Sequence, residues 1–448
     1  MKREVEEKSL MGSIVKIALP VTLQSMLRAS FSIIDQVMIG RLGSESISGI
    51  GLSGKFASMH GVVLGAITAT AAIMMSQYIG QKDSKKMCRS FYVNMISAIL
   101  IAVTFMSMSI GFTEPILSCY TKDPVTREIG ETYLSIYALS FLPAAFSGMA
   151  ETMLCCLEAA VFPLISSIFS LCVNTGLNYV LIFGKMGFPE LGVEGAAIAS
   201  VIAQFISFIL TYIFLIYILR KKSISLKFNI SFGKGEKTAY IKILAPLLIC
   251  EFLWSFGENV YSSIYGNIGT KQCASMTMTS PIQCLLIGAL SGLATAASVI
   301  IGKSLGNKDY DSAYGNAKKL LKYGLMASLV LSFLLVILGK AYTGIYNVEE
   351  EVRNTAYELL IVFAIVSPIK VQNMILGGGV LRSGGKTKYV LAIDIIGTWG
   401  FGVPLGLLAS YILKLPITYV YFILSMEECV RLAISFVIFK RKNWMQQI

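Results

Sequence analysis

The chain has 448 residues, 55% hydrophobic and 14% charged, with a mean hydropathy of +0.69. A soluble domain covers itself with about 25% charged residues, so this chain needs lipid as its solvent. Its +12 charge lies in short loops between apolar runs, a topology signal rather than a nucleic-acid footprint; nine scattered cysteines without a CxxC exclude a disulfide or zinc framework, and the single histidine a His-rich metal site.

In chain order, Met1 to Lys8 is charged and leads into a long apolar run without a small-residue cleavage site, which reads as a retained first helix. With that helix as the first, twelve segments of membrane-spanning length can be drawn. The first, Ser13–Ile39, carries Gln24, Arg28, Phe31 and Asp35 on one helical face. An ionisable group at this depth costs at least a few kcal/mol, so each one is a functional hypothesis. A buried carboxyl can trade its proton for a cation, the chemistry of a coupled antiporter; the structural alternative for Asp35 is a cap or an ion pair. Arg28 is two turns away, about 10 Å, too far for direct pairing.

The second, third and fourth spans are Ile47–Tyr78, Phe91–Phe112 and Ile129–Leu154. His60, in the second, reads as a hydrogen-bonded helix contact. The fifth, Val161–Phe183, places Asn174 and Asn178 at i, i+4; their amides could ligate a hard cation, hydrogen-bond Asp35, or join two helices. The sixth is Val193–Leu219. The seventh, Ile241–Tyr265, has Glu251 and Glu258 on one face, Trp254 between them and Tyr261 beyond. Carboxylates beside aromatics suit an organic cation through charge and cation–π contact; alternatively Glu258 is clasped by Lys55 or Lys370. The remaining spans are Cys273–Ile301, Ala317–Leu338, Thr355–Leu376, Val390–Leu413 and Ile417–Phe439. Asp394 is a lone acid in the eleventh, and Glu427, Glu428 and Arg431 read as a local network in the twelfth.

Basic residues alternate between loops. Lys82, Lys85, Lys86 and Arg89, then Arg220, Lys221, Lys222, Lys227, Lys234 and Lys237, then Lys303, Lys308, Lys318 and Lys319, then Arg382, Lys386 and Lys388 crowd the even gaps, and Lys440, Arg441 and Lys442 the tail. The gap after the fourth span has none. Odd gaps carry one or two, such as Arg41, Lys185, Lys271 and Lys414. Both termini are therefore expected in the cytoplasm.

The chain is also written twice. Pro20 to Asp83 aligns without a gap on Pro246 to Asp309 at an offset of 226, with nine of 64 pairs identical. The identities include Pro20/Pro246, Gly40/Gly266, Gly43/Gly269 and Gly80/Gly306, where backbone geometry is demanding. Six spans per half, an even number, make parallel repeats about an axis along the membrane normal, with a transporter's site expected between them. The expected fold is all-α and integral to the membrane: an N-lobe of residues 1–222, a basic cytoplasmic linker of 223–238 and a C-lobe of 239–448. Two near Walker A loops fail because Ala297 and Val380 stand where glycine is required.

These pieces have a familiar order. Ala18-Leu19-Pro20, Asp35 and Ile39-Gly40-Arg41-Leu42-Gly43 are followed by Ile79-Gly80-Gln81-Lys82-Asp83. Leu177-Asn178-Tyr179 leads to Leu181-Ile182-Phe183-Gly184, then to Leu191-Gly192-Val193-Glu194-Gly195-Ala196-Ala197-Ile198-Ala199-Ser200 and Leu381-Arg382-Ser383-Gly384-Gly385-Lys386-Thr387. On these residues the chain resembles the bacterial multidrug and toxic compound extrusion (MATE) transporters over nearly its whole length. The resemblance implies two six-helix lobes facing each other in a V, alternating access, and antiport of organic compounds against H+ or Na+. It implies cation coupling by Asp35, Asn174, Asn178 and Ser200, with Asp35, Asn174 and Asn178 holding Na+ if sodium is the ion. Asn178 is neutral where many members have aspartate. Glu251 matches the second-lobe acid of other branches. Leu157-Glu158-Ala159-Ala160 departs from the arginine- and glycine-bearing loop usual there.

The expected substrate set is Gln24, Arg28, Glu251, Trp254, Glu258, Tyr261 and Asp394. The expected partners are amphipathic, often cationic small molecules and the lipid bilayer, with no nucleic acid, no cofactor beyond the transported ion, and a monomer in the cell membrane. A flippase for lipid-linked precursors is the alternative; it would need a more basic cavity than Arg28, Lys55 and Lys370 offer. An integral-membrane enzyme is a remote third, requiring a catalytic cluster that the sequence does not display.

Overall fold

The computed structural model describes residues 2–228, 230–231, 235–346 and 348–448, the side chains of 2–9, 33, 44 and 270 apart. Among the described residues every regular element is helical. The first half comprises α1 (Lys2–Gly40), α2 (Ser44–Gly80), α3 (Ser84–Gly111), a short α4 (Thr113–Ser118), α5 (Pro124–Tyr137), α6 (Phe141–Cys156), α7 (Val161–Ile182) and α8 (Gly192–Lys221). The second comprises α9 (Glu236–Ile268), α10 (Thr270–Gly306), α11 (Tyr310–Gly344), α12 (Glu350–Asn373), α13 (Thr387–Asp394), α14 (Val403–Leu407), α15 (Ile417–Ser425) and α16 (Glu427–Lys440).

Eleven helical stretches among the described residues are long and apolar enough to cross a membrane. They follow the expected order, and most run several residues past the apolar runs, because a helix continues into the headgroup region where hydropathy falls. Four expected spans are interrupted. A 3₁₀ turn over Ala138–Ser140 joins α5 to α6; Pro143 lacks an N–H and crowds the carbonyl of Leu139 one turn back. The tenth and eleventh spans contain π-helical stretches, Met374–Leu381 with its three consecutive glycines, Ile395–Gly402 and Leu408–Ile412, a conformation frequent at functional sites. The twelfth divides at Met426, where Cys429 N bonds back to Met426 O at 3.1 Å and the buried Glu427 and Glu428 begin α16.

The chain forms two compact units. One contains Met1–Thr22, Ser76–Lys82 and Lys234–Ile448, the other Leu23–Met75 and Asp83–Gly233. Of the expected linker 223–238, residues 229 and 232–234 lie outside the described residues.

The repeat recurs in backbone detail. Lys82 and Lys308 take left-handed φ values of +57° and +59°. The next residues, Asp83 and Asp309, cap α3 and α11 by accepting from Lys86 N and Ser312 N, each at 3.0 Å. An aspartate at this position satisfies an orphan helix N–H.

In the first unit the ends of α2 and α10 meet backbone to backbone. A Cβ on Gly80 would strike Lys303 O, and one on Gly306 would strike Gln77 O. Gly302 packs on Ser76, so each helix offers a small-xxx-small pair, the pattern that lets helices approach closely. The tail seals this end. Trp444 is fully buried, Gln77 donates to Ser383 O at 2.7 Å and accepts from Ile448 N at 2.8 Å, and Gln447 donates to Gly306 O at 2.7 Å.

Candidate functional site

In the second unit, α7 and α8 pack closely because Gly195 has no Cβ; one would stand 2.7 Å from the Leu181 backbone. That packing brings Ser200 of α8 to 3.4 Å from Asn174 of α7. Asn178, one turn further, donates to Asp35 of α1 at 2.9 Å. The Asn174 amide also faces Asp35, and with its nitrogen turned inward it donates to the two carboxylate oxygens at 3.1 and 3.2 Å. All four expected cation-coupling residues are thus assembled in one place. Tyr133 of α5, a helix with no motif residue, lies beside Ser200 and Asp35, and was not expected.

The site has an unfilled valence. Asn178 Oδ1 is buried and finds no donor among the described residues. A buried polar oxygen without a partner costs of order 1–3 kcal/mol, and a hard cation held by oxygen ligands would satisfy it. No ion pair engages Asp35 among the described residues. Met38, Ile39, Leu42, Ile136, Phe183 and Val193 pack around a core of Ile50, Tyr133, Ile182, Ala196 and Ala197 at this end of the unit.

Three turns earlier on α1, on the same face, Gln24 donates to Ser167 at 2.7 Å and to Glu151 at 3.4 Å. Arg28 pairs with Glu151 at 3.3 Å, not with Asp35. Glu151 was absent from the expected set although it is an acid inside the fourth span. The rule that flags intramembrane acids applies to it directly. His60 is packed rather than bonded: its ring stacks on Phe141 at 4.4 Å, and its Nε2 has no hydrogen-bond partner among the described residues.

The first unit wires its acids differently. Glu251 of α9 pairs with Arg382 at 3.0 Å. Asp394 of α13 accepts from Arg431 and lies 2.5 Å from Cys250 Sγ. Arg431 also reaches Glu428 at 3.7 Å, and Lys370 stands 4.0 Å from the same carboxylate. Tyr261 donates to Glu427. Glu427, Glu428 and Arg431 form the expected network, and it extends to Asp394. Glu258 lines a cavity of about 90 Å³ with Tyr261, Gln283, Lys370, Tyr421 and Glu427. Trp254 is exposed, so the structure does not gather Glu251, Trp254 and Glu258 around one pocket. Arg382 was read only as a loop cation; its reach into the span was invisible because the tenth segment continues as a π-helix to Leu381.

At the repeat offset Gln24 corresponds to Cys250 and Asp35 to Tyr261. Both pairs face polar partners within their own units, but the chemistry has diverged. One half presents a carboxylate to amides, the other a phenol to a carboxylate.

A family model described as MatE matches residues 20–180 and 246–408, the two copies of the repeat. The chain is 22% identical to the uncharacterized transporter YisQ of Bacillus subtilis, covering 97% of this chain and 95% of that one. It is 26% identical to a probable multidrug resistance protein NorM of Bacillus cereus, covering 92% and 91%. Among solved structures, a MATE transporter of Vibrio cholerae superposes with a TM-score of 0.86 at 16% identity, covering 98% of this chain and 99% of that one. The fold is therefore shared at a level where sequence alone is faint.

Proposed function

Because this chain belongs to the MatE family, whose members are transporters, we propose that it is a secondary active antiporter. It exports amphipathic, often cationic organic compounds in exchange for H+ or Na+. The Bacillus cereus relative named for multidrug resistance supports the substrate class. The coupling reading rests on one observation: Asp35 is bonded to Asn178 and faced by Asn174, with, among the described residues, no base on it and an unpartnered amide oxygen beside it.

In this reading the cation and the organic compound bind different facing states, and each shifts the population toward its own. Asp35, Asn174, Asn178 and Ser200 hold the ion. An ionised Asp35 takes donors from both amides; a proton or Na+ on it turns those amides toward their oxygens. Gln24 and Arg28, three and two turns earlier on α1, line the path with Glu151 of α6. The basic loops face the cytoplasm, with both termini there, in the cell membrane.

The test is ethidium efflux from membranes expressing wild type or Asp35→Asn under an imposed proton or sodium gradient. The reading expects gradient-driven efflux that the variant loses while remaining inserted. Efflux retained by Asp35→Asn defeats the coupling role; wild-type efflux under neither gradient defeats the antiport reading and moves weight to a lipid-linked substrate.

A further inference from the structure

The second unit holds another concavity, far along the chain from the Asp35 residues. A groove of about 490 Å³ lies between α3, α6 and α8 and is walled by Phe91, Met95, Phe146, Leu215 and Ile216. Its volume is within the range of small-molecule sites. One wall is the chain after α8: Ile224 and Leu226 line it. That wall is fixed, because Ser225 O accepts from Cys88 Sγ at 3.4 Å, Leu226 O accepts from Tyr92 Oη at 3.3 Å, and Phe228 packs on the Tyr92 ring at 5.1 Å.

Arg220 is the one charged residue in the lining. It is exposed, sits in the last turn of α8 beside Lys221, and has no ion pair among the described residues. Lys227 follows the wall residue Leu226 and is also exposed. No acid lines the groove. An apolar slot at the end of membrane-spanning helices favours hydrocarbon over water. A guanidinium at its mouth, where α8 leaves the apolar zone, matches a phosphodiester in a bidentate geometry. Basic pockets between spanning helices are the recognised sites of anionic headgroups.

We propose that this groove binds one anionic phospholipid from the leaflet next to the basic loops, with an acyl chain in the slot and the phosphodiester on Arg220. The proposal is independent of which ion drives transport and of what is exported.

The test is native mass spectrometry of the full chain in mild detergent, titrated with phosphatidylglycerol or phosphatidylcholine. One phosphatidylglycerol is expected to be retained in preference to phosphatidylcholine. Arg220→Gln should lower that retention about fivefold or more. Arg220→Lys, which keeps the charge but loses the planar fork, should fall between. Ile216→Trp, filling the groove from its exposed side, should lower retention in the same assay. Equal retention of the two headgroups overturns the proposal, and so does retention undiminished by Arg220→Gln. If Ile216→Trp misfolds, the exposed Arg220 variants decide alone.

Discussion

The Asn174 amide lies 3.1 and 3.2 Å from the two oxygens of Asp35, so its two orientations answer two charge states of one carboxyl. Nitrogen inward suits the ionised form; oxygen inward suits a protonated or sodium-bound one. Asn174→Leu should therefore lose the readout and keep the fold. We expect gradient-driven efflux to drop about tenfold or more, the scale of one charge-assisted hydrogen bond. Efflux in vesicles, with insertion checked by size exclusion, measures it.

Arg28 is 56% exposed while Glu151 is 19% exposed. An ion pair so open to solvent adds no more than about 1 kcal/mol, so its worth lies elsewhere. Arg28→Ala should leave thermal stability nearly unchanged. It should lower the half-saturating concentration of a cationic substrate, because a fixed positive charge leaves the α1 face. An unchanged substrate preference would remove Arg28 from the path.

Asp394 and Arg431 are 11% and 13% exposed, and here the balance reverses. Arg431→Met leaves the Asp394 carboxylate without its cation and Glu428 with Lys370 alone, and breaking a buried pair costs about 3–5 kcal/mol. We expect a thermal midpoint lower by several degrees and a partial recovery in Arg431→Met/Asp394→Leu. Thermal unfolding in one detergent compares the three proteins.

Gly306 and Gly315 make an internal control. A Cβ at Gly306 meets the Gln77 carbonyl, while one at Gly315 meets nothing within 4 Å. Gly315→Ala should be neutral or slightly stabilising, since alanine is favoured over glycine in a helix by about 1 kcal/mol. Gly306→Ala should destabilise the protein, because the obstacle is backbone that cannot swing aside. Thermal stability of the two variants separates the cases.

Asp123 caps α5 by accepting from the Thr126 amide at 3.0 Å and from its hydroxyl. These bonds hold its carboxyl below the usual carboxylate range. A depressed folded value means that the cap's contribution is complete above the unfolded value, about pH 4, and fades only as pH falls through the folded one. Hydrogen exchange at the start of α5 should stay protected from pH 7 to 5 and rise in stronger acid. In Asp123→Ala it should be raised throughout.

Much of this was legible because membrane solvation leaves few options. Apolar length predicted the helices, and the Gly80–Asp83 and Gly306–Asp309 turns predicted the repeat. The family resemblance implied Asp35, Asn174 and Asn178 as one set, while the i, i+4 and i, i+11 spacings only placed Asn174 with Asn178, and Gln24 with Asp35, on single helix faces. What escaped depended on tertiary reach. Arg382 lies in a loop by sequence yet engages Glu251. Lys222 donates to Leu157 O at 2.8 Å, lending a cation to the one even-numbered loop with no basic residue of its own. The π-helical turns leave no legible mark, because the phase shift of one added residue displaces no stripe in a span that is apolar on all faces.

The pairing of Glu251 with Arg382, and of Asp394 and Glu428 with Arg431 and Lys370, has an electrical consequence. Those six residues form an internal salt, so a voltage across the bilayer finds little to push on in them. Asp35 has no such counterion among the described residues. Moving one elementary charge through the field is worth about 2.3 kcal/mol per 100 mV, and a bound proton or sodium ion cancels the charge on which that force acts. In the proposed antiport Asp35 is thus an electrically live charge, and its sensitivity to membrane potential depends on whether the carboxyl is occupied.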